Sequence, residues 1–369
     1  MSVISQRTLN RTLLQRQFLT ERTTRAPLDV TGHLVALQAQ EPDAPYIGLW
    51  TRITDFRHDG LTSLLHDRSL VRAKLLRNTQ HLVTADDFRW LWPLLEPVLG
   101  RTRQGAFGRA AAGIPEEELR SAGRELLAGE PLTRPRLGRL LAERFPGRDA
   151  TALAYVVQSL VAHIHPPPSG TWGQRGATPL TLAETWLGRP LDTGARLDTL
   201  VPRYLAAFGP ASVADLQAWS GLTRLREPVE ALRSRLRVLR GPDGRELLDL
   251  PDAPLADPDL PAPVRFLPAY DNLLLGHADR TRVIGDEDRA RVVTGSEVRP
   301  VFLVDGVVHG VWALKEHTLQ IEPYRPLTGA QAAEVEQEAW RVLDFVRAAP
   351  AKRGKRPAAE PGAPSVAFV

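Results

Sequence analysis

The sequence predicts an α+β chain of several consecutive units. Three observations predict it: the length, an ordinary globular composition, and a helices-then-hairpin pattern that occurs three times. At 369 residues the chain exceeds what one domain of roughly 100–200 residues accounts for. Hydrophobic residues make up 43% and charged residues 24%, which excludes wholesale disorder and a fibrous repeat.

The first unit opens after Ser5 with Leu9, Leu13, Leu14 and Phe18 at helical spacing. A second helix is expected over 28–38, with Leu34, Val35 and Leu37 turned inward, and Glu41-Pro42 ends it because the residue before proline is pushed out of the helical region. A third helix over 61–66 precedes two extended runs, 70–76 and 80–84, around Asn78-Thr79. Helices followed by a hairpin are the order of a winged helix. The second unit repeats it with helices over 115–127, 134–145 and 150–163, and Arg136 and Arg139 lie off the face made by Leu137, Leu140 and Leu141. The Pro- and Gly-rich segment HIHPPPSGTWGQRG follows where a wing belongs. The third has helices over 197–208, 212–219 and 224–236, then strands over 238–240 and 246–250 around Pro242-Asp243-Gly244.

From Phe266 the texture changes to strand-like runs over 301–304, 307–314 and 319–321, the first two joined at Asp305-Gly306. A last helix is expected over 328–346, with Val335, Ala339, Val342 and Val346 on one side. The remainder is basic and proline-rich, a composition that stays disordered. The expected divisions are thus 1–112, 113–192, 193–348 including the C-terminal strands and helix, and a disordered tail over 349–369.

With no cysteine, disulfides, Cys-bearing zinc sites, Fe–S clusters and thiol nucleophiles are excluded. The formal charge is only +4, and the tail supplies much of it through Lys352, Arg353, Lys355 and Arg356 against Glu360. Of 47 basic residues only Lys74, Lys315, Lys352 and Lys355 are lysines, a bias toward arginine that discounts raw counts as a sign of nucleic acid. The segments RTRQGAFGR, with Arg101, Arg103 and Arg109, and RPRLGRLLAER are candidates for tracking phosphates. His163 and His165, one residue apart, face different ways with no third ligand nearby, so neither a metal nor a cofactor is expected. Dinucleotide, phosphate-loop and nucleophile-elbow signatures are absent from the sequence. No apolar run of about 18 residues occurs and the opening MSVISQRTLNRTLLQ lacks a signal-peptide core, so a cytoplasmic, nucleoid-associated protein without membrane contact is expected.

The informative stretch is LVALQAQEPDAPYIGLW. It places two amides, Gln38 and Gln40, where the second helix is expected to stop, with Glu41 and Asp43 beside them. Gln15-Arg16-Gln17 has the same spacing and suggests nothing; the pair alone reads as solvated surface.

Together with RNTQHLV at 77–83, HPPPSGTWG at 165–173 and FLPAYDNLLLGHADRTRVI at 266–284, that pair resembles the winged-helix DNA glycosylases, over nearly the whole chain except the tail. The resemblance implies three tandem winged-helix units in a C-shaped scaffold. It implies catalysis by Gln38 and Gln40 of N-glycosidic bond cleavage at N7-alkylated guanine. Relatives with an acid at the second position accept N7 adducts more broadly; Gln40 points to the branch conferring self-resistance to azinomycin-type crosslinkers. The expected partner is double-stranded DNA carrying N7-alkylguanine lesions or crosslinks, bound by a monomer, with DNA contacts from Arg77, His81, Arg136 and Arg139. The competing readings are a winged-helix transcriptional regulator without catalysis, inserting a recognition helix in the major groove, and a scaffolding protein.

Overall fold

The computed structural model describes residues 3–194, 196–350 and 363–369. Helix α1 (Gln6–Arg16), capped by Ser5, leads to α2 (Pro27–His33). Strand β1 (Leu37–Gln38), α3 (Ala44–Trp50), α4 (His58–His66), β2 (Leu70–Lys74) and β3 (Gln80–Thr84) follow. The three strands form one sheet in the order β1-β3-β2, the first strand joining the last.

The helix expected over 28–38 is therefore corrected. It stops at His33, and Leu37 and Gln38 pair antiparallel with Leu82 and His81. The break falls at Val35, whose φ is +67. A β-branched residue in the left-handed region is rare and strained, and no sequence pattern announces it.

Helix α5 (Ala85–Leu99) was not expected from the sequence; Pro93 and Pro97 interrupt its pattern. A 3-10 turn over 100–104 and α6 (Ala106–Ala110) connect it to α7 (Glu116–Ala128), α8 (Arg134–Arg144) and α9 (Ala150–Leu160), as expected for the second unit. Strand β4 (His163–Ile164) pairs with β5 (Thr181–Leu182), and the proline-rich segment expected as a wing is the long loop between them. After α10 (Ala183–Leu187), the third set comprises α11 (Leu197–Phe208) and α12 (Val213–Ser220), but the helix expected over 224–236 is only α13 (Arg226–Glu230) and a 3-10 turn. Strands β6 (Arg237–Arg240) and β7 (Glu246–Asp249) form its hairpin.

Strand β8 (Arg265–Leu267), α14 (Asn272–Leu275), α15 (Asp286–Val292) and the β9 (Val293–Thr294)–β10 (Glu297–Val298) hairpin precede β11 (Val301–Val304), β12 (Val307–Lys315), β13 (Thr318–Pro323) and α16 (Gly329–Arg347). A last strand, β14 (Ser365–Phe368), completes a sheet in the order β14-β13-β12-β11-β8. The expectation of a disordered tail is corrected there: β14 pairs parallel with β13, Leu319 facing Val366 and Ile321 facing Phe368. The tail over 351–362 lies outside the described residues.

One hydrophobic core runs from Leu13 through Phe88, Ile164 and Trp219 to the C-terminal sheet and Phe345. A second core gathers Leu119, Leu137, Leu153 and Val157 of α7, α8 and α9. Among the described residues no helix is long and apolar enough to cross a membrane.

Candidate active site

The glutamine segment is held at almost every residue. Asn272 donates Nδ2 to the Ala36 carbonyl at 2.7 Å, and Gln38 pairs with His81. The Ala39 N–H reaches the Gln80 carbonyl at 2.8 Å. Arg72, 4% exposed, donates Nε to the Ala39 carbonyl at 3.0 Å and a second N–H toward the Gln40 carbonyl at 3.5 Å. Its third contact, Ser169 Oγ at 3.0 Å, fastens the proline-rich loop to the same point. Burial pushes the Arg72 guanidinium down to about 10, against the raising charge of Glu41. Beyond Gln40, Asp43 accepts from the Gly173 N–H at 2.5 Å, and Arg175 approaches Glu41 at 3.6 Å and Asp43 at 3.9 Å.

The four sequence motifs therefore converge, and three of them support the first. Asp271 meets Arg52 through both carboxylate oxygens at 2.8 and 2.9 Å in a fully buried pair, and the next residue, Asn272, pins the approach to Gln38. Gln80 Nε2 and His165 Nε2 lie 2.8 Å apart, linking β3 to the start of the proline-rich loop. Sequence reasoning singled out neither Arg72, Asp271 nor Asn272, because a buried arginine or asparagine reads like any surface one until its partners are known.

Gln38 is 7% exposed and its Oε1 accepts from an Arg77 N–H at 2.8 Å. Gln40 is exposed. Arg77, with φ +52, sits in the turn between β2 and β3 and also donates to the Trp219 carbonyl. Of the residues expected to contact DNA, Arg77 donates to protein partners, and His81 is 1% exposed with Nδ1 bonded to the Thr79 carbonyl. Burial pushes His81 down to about 3, Arg77's charge adding to it. Nor does the Asn78-Thr79 turn project, since Asn78 Nδ2 bonds to Thr102 Oγ1 at 3.0 Å. Arg136 and Arg139 are exposed on α8. Of the other arginines, Arg101 is bonded to the Gly221 carbonyl, and Arg103 to Glu116 and the Ser159 carbonyl. His163 and His165 hold neighbouring carbonyls, of Val161 and Pro179.

A cationic ledge lies beside the β2–β3 pairing, made by Lys74, which the sequence did not single out as a site, and by Arg134 of the RPRLGRLLAER segment. Lys74 stands opposite Gln80 across the β2–β3 pairing, its Nζ 5.8 Å from the Tyr155 ring, and Arg134 covers that ring at 4.6 Å. Burial, then the charge of Arg134, pushes Lys74 down to about 8. Neither cation makes an ion pair among the described residues. A groove of about 830 Å³ opens elsewhere, at the start of α5. Its Arg89 and Arg189 are spent on Asp192 and Asp86, while Arg68 lies over the Trp186 ring and Arg25 over Phe18.

Two of the helices a regulator would insert into DNA are unsuited to it. Helix α9 is buried along most of its length, and the exposed positions of α4 include Asp59 and Ser63, with Asp67 just beyond it. The sequence comparisons agree in direction. The family described as "DNA glycosylase AlkZ-like" matches residues 31–345. An interstrand DNA cross-link repair glycosylase of Streptomyces sahachiroi is 25% identical over 353 residues, spanning 89% of this chain and 93% of that protein. The solved structure of the S. sahachiroi DNA glycosylase AlkZ shares the fold at a TM-score of 0.79 and 22% identity, both chains being covered in full. Since the family match takes in the glutamine segment, the arginine and asparagine that anchor it and the sheet behind it, the chain belongs to the AlkZ-like DNA glycosylases.

Proposed function

We propose that this glycosylase cleaves the N-glycosidic bond of N7-alkylated guanine in duplex DNA, unhooks azinomycin-type interstrand crosslinks without base flipping, and leaves abasic sites, with Gln38 and Gln40 as its catalytic residues. The observation that carries the proposal is a neutral glutamine pair, backbone-anchored on both sides, with Gln40 exposed at the surface. The cross-link repair activity in the name of the S. sahachiroi relative supports the same substrate class.

The chemistry asks for little more. Glycosidic cleavage passes through an oxocarbenium-like sugar, and an ordinary base must be protonated to leave. Alkylation at N7 makes guanine cationic, so the C1′–N9 electron pair returns to the purine and the base departs neutral. A water oxygen then bonds to C1′ and its proton goes to solvent. The remaining tasks are to place that water and to complement charge in the transition state, which fixed amide dipoles can do. A crosslinked base is tied to the opposite strand and cannot swing into a closed pocket; an exposed Gln40 suits work from outside the duplex. Lys74, Arg134, Arg136 and Arg139 supply cations for the phosphates on one flank.

Crosslinked duplex incubated with the protein, treated with alkali and run on a denaturing gel tests this. Released strands that alkali cuts at the lesion are expected. Duplex that stays crosslinked in excess protein overturns the reading. A second expectation separates chemistry from binding. Gln38→Ala and Gln40→Ala slow single-turnover release by about tenfold or more, while duplex Kd stays within about twofold because neutral amides add nothing to the counterion term.

A further inference from the structure

The two amides are not equivalent, and Arg77 makes the difference. Its guanidinium is anchored at one end by the Trp219 carbonyl where α12 closes, and a Cβ added to the neighbouring Gly221, at φ +81, would come within 3.1 Å of the Arg77 backbone. The other end meets Gln38 at 2.8 Å. A guanidinium has five N–H donors and no acceptor, so the Gln38 atom facing it is the oxygen. Reversing the amide would set two N–H groups against a cation. Gln38 Nε2 has no protein acceptor among the described residues.

From this geometry we infer that Arg77 is a positioning residue that turns Gln38 into a hydrogen-bond donor toward the departing guanine, leaving the acceptor role, and with it the attacking water, to Gln40. The inference rests on the glycosylase reading above. An N–H group polarised by a guanidinium is unfavourable beside an oxocarbenium ion and favourable beside an atom that gains electron density. When the C1′–N9 bond breaks, its electron pair enters the purine. The acceptor next to N9 is N3, on the minor-groove edge. A Gln38 N–H···N3 bond strengthens as the bond breaks, which is the condition for lowering the barrier rather than merely binding the substrate.

The test compares carboxylate substitutions at the two positions, by single-turnover release of alkylguanine from azinomycin-crosslinked duplex DNA. Gln38→Glu keeps an oxygen for Arg77 and so keeps the local fold, but it has no N–H. It is expected to be as slow as Gln38→Ala, about tenfold or more below wild type. Gln40→Glu still accepts from water and is expected to recover about tenfold over Gln40→Ala. Arg77→Met should lower the rate without changing duplex Kd, and Arg77→Lys, which still offers donors to Oε1, should restore part of it. Thermal melting of each variant identifies any that fail to fold. A Gln38→Glu protein as fast as wild type, or Arg77→Met with an unchanged rate, overturns the inference while leaving the glycosylase reading in place. A wild-type protein that releases no alkylguanine removes both.

Discussion

At Gly170 the backbone takes φ +86, and a Cβ placed there would lie 2.8 Å from Arg72 Cδ. Any larger residue at this position must strain its own backbone and displace the side chain that holds the Ala39 and Gln40 carbonyls. Gly170→Ala should therefore cost about 1–3 kcal/mol of stability and slow base release beyond what that loss explains. Thermal melts beside single-turnover rates check it, and an unaltered rate would show that the glutamine segment does not depend on Arg72. Asp271→Ala tests the deeper support. It leaves the fully buried Arg52 without its charge partner, an arrangement that costs about 3–5 kcal/mol and is read as a fall in denaturation midpoint. At this scale the sequence alone offered little. Two glutamines flanking an alanine become a candidate site only through resemblance, and the residues that fix them come from positions 72, 77 and 272.

Element by element, the amphipathic helices with unbroken periods were legible, and α1, α7, α8, α11 and α16 begin and end close to expectation. What defeated the pattern was local chemistry competing with periodicity. Pro93 and Pro97 sit inside α5, and Val35 reverses its φ where helix gives way to strand. The tail illustrates a third cause. Its basic, Pro-rich composition outweighed the final SVAF, in which Val366 and Phe368 favour a strand, yet these residues pair with β13. Deleting residues 363–369 would uncover the edge of β13 from Thr318 to Ile321. An unpaired edge invites association. The truncated protein should melt lower, by roughly 2–4 °C for each kcal/mol lost, and show concentration-dependent aggregation by light scattering, while single-turnover rates at saturating protein stay unchanged. A melting temperature equal to that of the full chain would mean that β14 contributes nothing.

Across the whole molecule, pH should act on stability and on chemistry in different windows. Burial pushes His163 down to about 4, and His81 and His277 to about 3, and holds His165 well below its ordinary value. In the unfolded chain histidine titrates near 6.5. The unfolded state therefore binds protons first. Stability is complete above about 6.5 and falls as pH drops toward 4, with a limiting slope of about 1.4 kcal/mol per pH unit for each such histidine. None of these buried rings gains or loses a proton between about 6 and 8, and amides do not titrate at all. If the cationic guanine leaves without acid help, single-turnover cleavage is flat across that range. Duplex binding, by contrast, should weaken as pH rises past about 8, where Lys74 loses its charge. Lys74→Met should flatten that decline and lower the salt dependence of binding by about one counterion. Glu41 and Asp43 are the alternative bases beside the glutamines, although both approach Arg175 and Asp43 already accepts the Gly173 N–H. Rates at saturating protein from pH 6 to 8, on wild type and on Glu41→Gln and Asp43→Asn, decide between them. Three flat profiles assign the step to the amides. A steep rise with an apparent pKa inside the window, abolished by one substitution, transfers it to that carboxylate.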